Sequence, residues 1–112
     1  MRVDRKRFSG KWNITKMSEW DEEYCNMEVQ AFIALDQRGN GEFQFGLVSG
    51  EVKGDFIKRE GEDVFDFTWE GSDECNAASG DGWMKVANRG IAEGEIRFHD
   101  GDRSSFWAKK RR

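Results

Sequence analysis

The chain has 112 residues, 37% of them hydrophobic and 36% charged. That length makes one domain, 1–112, large enough to bury a core without disulfide staples. A charge-rich balance belongs to disordered chains when rings are scarce, but nine Phe, five Trp and one Tyr supply large apolar areas and exclude disorder here. The net charge of -4 hides an uneven spread. Segment 1–9 carries Arg2, Arg5, Lys6 and Arg7, the tail 109–112 carries Lys109, Lys110, Arg111 and Arg112, and residues 8–108 hold 10 basic against 21 acidic residues, a charge of -11. So acidic a body repels phosphate backbones, which argues against nucleic acid as a partner. The basic ends read as solvated termini. No apolar run is long enough to span a membrane as a helix, and the start MRVDRKRFSGKW lacks the apolar stretch of a signal peptide. A cytoplasmic protein with Cys25 and Cys75 reduced is expected.

In chain order, Val3 and Phe8 among basic residues predict a short turn or 3₁₀ plug under a sheet. Residues 11–17 alternate Trp12 and Ile14 against Asn13 and Thr15, a first strand. The loop SEWDEEYCNM, holding Trp20, leads to residues 29–35, where Val29, Ala31, Ile33 and Leu35 are in phase; DQRGNG then turns into a third strand. Folding GEFQFGLVSGEVKGDFI about Ser49-Gly50 sets Leu47 opposite Val52, Phe45 opposite Gly54 and Phe43 opposite Phe56. Glu42, Gln44, Glu51, Lys53 and Asp55 fall on the other face. A second fold about Glu60-Gly61 sets Phe56 against Phe65, Gly54 against Phe67 and Val52 against Trp69, so both turns build one apolar face. Residues 82–87 form a sixth strand that returns through Asn88-Arg89-Gly90, with Gly90 left-handed, pairing Val86 with Ala92 and Met84 with Gly94. The seventh strand turns Ala92, Gly94, Ile96 and Phe98 inward and Glu93, Glu95, Arg97 and His99 outward. The eighth, 104–110, adds Phe106 and Ala108 to the inner face.

Eight strands in succession with short hairpins predict an all-β, antiparallel up-and-down meander closed as a barrel, because pairing the first strand with the last removes both edges. A two-sheet sandwich is the alternative. Gly10-Lys11-Trp12, followed by a meander that ends in a basic residue, resembles the G-x-W opening of the calycin barrels, the lipocalins and avidins. The resemblance implies a ligand-binding barrel in which Lys109 or Arg111 packs near Trp12. The segments FTWEGSDECNAASGDGWMKV (67–86) and FHDGDRSSFWAKK (98–110) are similar to parts of a family of small bacterial proteins. With the Gly-rich middle this likeness covers most of the chain; it implies a bacterial source and no particular activity.

In such a barrel the connections 1–2, 3–4, 5–6 and 7–8 share one mouth. That mouth collects SEWDEEYCNM, the Ser49-Gly50 turn, a long loop GSDECNAASGDG and HDGDR, and with them both cysteines and the one His. Inside, Trp12, Phe43, Phe45, Phe56, Phe65, Phe67, Trp69, Phe98 and Phe106 favour a filled core, while Gly54, Gly94, Ala31, Ala92 and Ala108 leave room for a small pocket at one end. The expected function is therefore non-catalytic binding of a small apolar or amphipathic ligand at the acidic mouth. Trp69, Phe98 and Phe45 would line it, and Asp73, Glu74 and Asp102 would form its rim. No cofactor is indicated, and no residue stands out as catalytic. Cys25 and Cys75 sit among acids, which raises a thiol pKa and argues against a nucleophile. Gly80-Asp81-Gly82-Trp83 lacks the helix that a phosphate loop needs. Two alternatives stand beside this reading. One is a protein-interaction or dimerisation module with a filled barrel, using the outward Trp83 and Trp107. The other is a metal-assisted hydrolase built on Asp73, Glu74, Asp100 and Asp102, with Glu70 and His99 nearby.

Overall fold

The computed structural model describes residues 3–88 and 90–111, so Arg2, Arg89 and Arg112 lie outside the described residues. A 3₁₀ turn, Arg5–Arg7, precedes β1 (Gly10–Met17), α1 (Glu22–Cys25), β2 (Phe32–Leu35), β3 (Asn40–Phe45), β4 (Val48–Arg59), β5 (Glu62–Asp73), β6 (Asn76–Asn88), β7 (Ile91–Phe98) and β8 (Arg103–Lys110). Each strand pairs antiparallel with the next, and β1 pairs with β8, so the sheet closes as an eight-stranded barrel and not as a sandwich. Along β7 the inward Ala92, Gly94, Ile96 and Phe98 are buried, and β8 alternates in the same way through Ser104, Phe106 and Ala108. This two-residue period is what places one set of side chains in the core and the other in water.

The β4–β5 hairpin pairs in the expected register, with Phe56 opposite Phe65, Gly54 opposite Phe67 and Val52 opposite Trp69. So do Val86 with Ala92 and Met84 with Gly94 across β6 and β7, and Gly90 is left-handed at φ 69°. The β3–β4 hairpin differs. Its turn is Gly46-Leu47, not Ser49-Gly50, so Phe43 faces Gly50 in place of Phe56, and Phe45 faces Val48 in place of Gly54. The slip is six residues, an even number, so residues 41–45 and 52–59 keep their faces, but Leu47 leaves the expected inner face for the turn and Val48 takes a buried place. Two glycines account for it. Gly46 has φ 56° and lies so close to Tyr24 that a Cβ would sit 2.3 Å from the ring, whereas a Cβ on Gly50 would lie 2.8–2.9 Å from the Trp69 and Phe43 rings. Gly46 supplies the backbone of the turn, and Gly50 supplies space for rings within a strand.

Three boundaries also differ from expectation. The second strand begins at Phe32; Val29 is 44% exposed, and the Asn26 side chain holds the Ala31 N–H at 2.8 Å. The sixth begins at Asn76, so the long loop GSDECNAASGDG is hairpin, closed by a two-residue turn at Glu74-Cys75 with Glu74 at φ 60°. The basic side chain against Trp12 is Lys110, its Nζ 5.4 Å from the ring centroid, and not Lys109 or Arg111. Even-numbered residues of β8 face inward, which excludes the other two; Arg111 instead donates to Asn13 Oδ1 on the outer face.

The predicted plug is present. Phe8 is fully buried beneath the barrel, its carbonyl accepts the Trp12 Nε1–H at 2.9 Å, and its ring meets Phe56 edge-on at 5.4 Å. The nine inward rings are buried, Phe56 only partly. The small residues accommodate them: a Cβ on Gly54 would come within 2.7 Å of Phe67, and one on Gly94 within 2.7 Å of Phe106. These side chains fill the interior.

Candidate functional site

At the mouth shared by the β1–β2, β3–β4, β5–β6 and β7–β8 connections, the loop after β1 folds down over the barrel. Asp21 caps α1 by accepting the Tyr24 N–H at 2.8 Å, Gly46 N–H donates to the Cys25 carbonyl at 2.8 Å, and Leu47 N–H donates to Tyr24 Oη at 3.4 Å. These bonds fasten the loop to the β3–β4 turn. They aim the half-buried Trp20 at Phe45, 5.1 Å between centroids, and at Phe98, 6.0 Å. Beneath it Trp69 meets Phe98 edge-on at 5.1 Å and Phe43 at 5.1 Å. The predicted lining residues Trp69, Phe98 and Phe45 are thus together, under an indole that alternation of residues could not place.

The predicted rim residues are at the same mouth without forming a cluster. Asp73 ends β5, opposite Val48 and Asn76; Glu74 occupies the turn tip; Asp102 lies in the β7–β8 turn, where its carbonyl accepts the Phe98 N–H at 2.7 Å. Among the described residues no three carboxylate, imidazole or thiol side chains converge as cation ligands, Asp73, Asp100, Asp102, Glu70 and His99 included. Cys25 and Cys75 are both free. Burial, with Asp21 beside it, pushes the Cys25 thiol up, while Cys75 is exposed at the hairpin tip. Trp83 is half-buried with Lys85 over its ring, and Trp107 is 37% exposed beside Lys16, so both face outward as expected.

The roomier concavity is on the outside of the sheet. One depression of about 1000 Å³ and a second of about 730 Å³ meet along five shared residues, Glu42, Glu51, Glu70, Ser79 and His99. Strand register explains that set: Glu42 on β3 is opposite Glu51 on β4, which is opposite Glu70 on β5, which is opposite Ser79 on β6. His99 extends the row, its N–H donating to the Ser79 carbonyl at 2.9 Å and its Nδ1 lying 3.3 Å from Ser79 Oγ. No known family model, curated protein or solved structure matches the chain. The site is therefore read from its own geometry.

Like charges directly opposite one another destabilise a sheet. Among the described residues none of the three glutamates has an ion-pair partner. Lys53 borders the second depression, two residues from Glu51 and outside ion-pair distance of it, while Arg97 bridges Asp81 at 2.8 Å and Glu95 at 3.0 Å and holds the Asp81 carboxyl below its usual range. Ser79 and His99 touch, but among the described residues no carboxylate bonds the other imidazole nitrogen, the contact that orients a catalytic base. Sequence reasoning missed this row for a definite reason. The Glu51–Glu70 pair follows from the β4–β5 register, but a turn at Ser49-Gly50 would have put Ile57 opposite Glu42 and hidden the third member.

Proposed function

We propose that this protein is a non-catalytic interaction module, a filled calycin-like barrel that receives a cationic segment of a partner protein along the trough on its outer face. The observation that carries the reading is the junction of the two depressions at Glu42, Glu51 and Glu70, three aligned carboxylates with no ion-pair partner among the described residues. Lysine or arginine side chains laid across the row relieve the repulsion that the free protein tolerates, so charge complementarity sets the partner's chemistry. Nucleic acid is disfavoured by the same charge. The bacterial, cytoplasmic setting expected from the sequence belongs to this reading, and the two free thiols agree with a reducing compartment.

The test is titration calorimetry with an oligolysine peptide and an oligoglutamate peptide of equal length. The basic peptide is expected to bind and the acidic one not, and E42Q/E51Q/E70Q is expected to weaken the basic peptide at least about tenfold while raising the melting temperature. Equal binding of the two peptides, or no change in the triple variant, would overturn the reading.

A second reading, a small apolar or amphipathic ligand taken at the mouth, is favoured by Trp20, a half-buried loop side chain stacked on Phe45 and Phe98. Replacing it with glycine uncovers those rings. If the mouth takes apolar ligands, Trp20→Gly should bind a fatty-acid probe that the parent excludes or binds more weakly.

A further inference from the structure

Closure of the barrel leaves part of β4 without a neighbour on one side among the described residues. β4 runs from Val48 to Arg59, but β3 accompanies it only as far as Lys53, followed by a single bond from Gly54 N–H to the Gly39 carbonyl at 2.8 Å. From Asp55 to Arg59, β4 pairs with β5 alone among the described residues. In an antiparallel strand, successive residues point their backbone groups to alternate sides. Since Gly54 points toward β3, so do Phe56 and Lys58, and their N–H and C=O groups form an open edge.

The order of residues along this edge is complementary to itself. Two copies of Asp55-Phe56-Ile57-Lys58-Arg59 placed antiparallel about a twofold axis at Ile57 set Phe56 of each opposite Lys58 of the other. That register alone aligns both pairs of free backbone groups, giving four hydrogen bonds. It also sets Asp55 of each copy opposite Arg59 of the other, and Ile57 opposite Ile57, continuing an outer-face row that already pairs Ile57 with Val64. The electrostatics agree. Asp55 is directly opposite Asp66; Arg59 lies 3.6 Å from Asp66, and Lys53 borders the same depression without an ion pair to Asp55. A second Arg59 beside Asp55 would balance the charges. Arg5 lies beside this edge, its guanidinium 5.3 Å from the Phe56 ring centroid and donating to the Gln37 carbonyl at 3.2 Å.

We propose that this edge is a homodimer contact, in which Asp55–Arg59 of two copies pair as antiparallel strands and join two barrels through a continuous sheet. So short an edge makes a small interface of the weak, transient class. Sedimentation velocity of the full chain is expected to show roughly half the material as dimer near 100 µM. D55R sets two arginines opposite each other and should weaken dimerisation about tenfold; D55R/R59D restores opposite charges and should bring it back to within about threefold of the parent. Both positions are exposed, so circular dichroism should report an unchanged fold. A protein that stays monomeric into the millimolar range overturns the proposal. So does a dimer indifferent to D55R, or one that the charge swap fails to restore.

Discussion

Individual side chains take their properties from where the barrel sets them. Two cysteines in nearly matching acidic contexts, EEYCN and SDECN, end in opposite environments: Cys25 is buried against the Trp20 loop and Cys75 is exposed at a hairpin tip. Burial raises the thiol pKa of Cys25 and shields it from reagent. One thiol is therefore expected to react with a colourimetric disulfide reagent in the native protein and two after denaturation; fast modification of both would place Cys25 wrongly. Asp81 and Asp63 are held below the ordinary carboxylate range by hydrogen bonds from Arg97 and Lys58 respectively. A depressed folded pKa means that the stabilisation is present above the unfolded value of about 4 and is lost as pH falls through the folded one. Asp81→Asn should accordingly lower the melting temperature at neutral pH, and its difference from the parent should vanish as pH falls through the lowered folded pKa of Asp81. A difference that persisted in acid would show that the ion pair is not its source.

At the scale of elements, turn chemistry and ring packing compete for the same glycines. Ser49-Gly50 reads as a hairpin turn because its neighbours alternate well, yet Gly46-Leu47 makes the turn, since its left-handed glycine fits beneath Tyr24 and α1 bonds to it. No local pattern in the chain shows that Gly50 faces Trp69 and Phe43. Gly50→Val should overpack that contact and cost about 1–3 kcal/mol in denaturant unfolding, whereas a true turn glycine at an exposed tip would tolerate it better. The loop after β1 is an element in the same sense, with Trp20 as its contact to the core. Trp20→Ala should cost about 2 kcal/mol, less than the 3–5 kcal/mol of a fully buried ring because the indole is only half-buried. A loss below about 0.5 kcal/mol would mean that the loop does not hold the mouth closed.

For the whole molecule, closure and charge distribution matter most. Joining β1 to β8 sets Lys109 and Lys110 beside the start of β1, while residues 8–108 together carry a charge of -11. Self-repulsion within a body of charge -11, sharpened at Glu42, Glu51 and Glu70, predicts that added salt stabilises the fold. The melting temperature should rise by a few degrees between about 20 mM and 500 mM sodium chloride, as the screening length shrinks to several ångströms. A falling melting temperature would mean that attractive pairs such as Arg97–Asp81 outweigh the aligned acids. Most of this fold was legible in the sequence. The inner face, the β4–β5 and β6–β7 registers, the 3₁₀ plug and the meander order all follow from alternation and glycine placement. The trough was only half legible, because Glu51 and Glu70 align through a register that could be read, and Glu42 joins them through one that could not.

Alternation of rings and charges by itself determined which side chains face the core, since a period of two survives any slip by an even number of residues, the six-residue error at the β3–β4 turn included. Only the tertiary structure decided which residues stand opposite one another across β3 and β4, because that register depends on how Tyr24 packs on Gly46 and how the Trp69 and Phe43 rings pack on Gly50. The aligned glutamates, the indole over the mouth and the open edge of β4 all depend on that packing, and no local stretch of the chain encodes it.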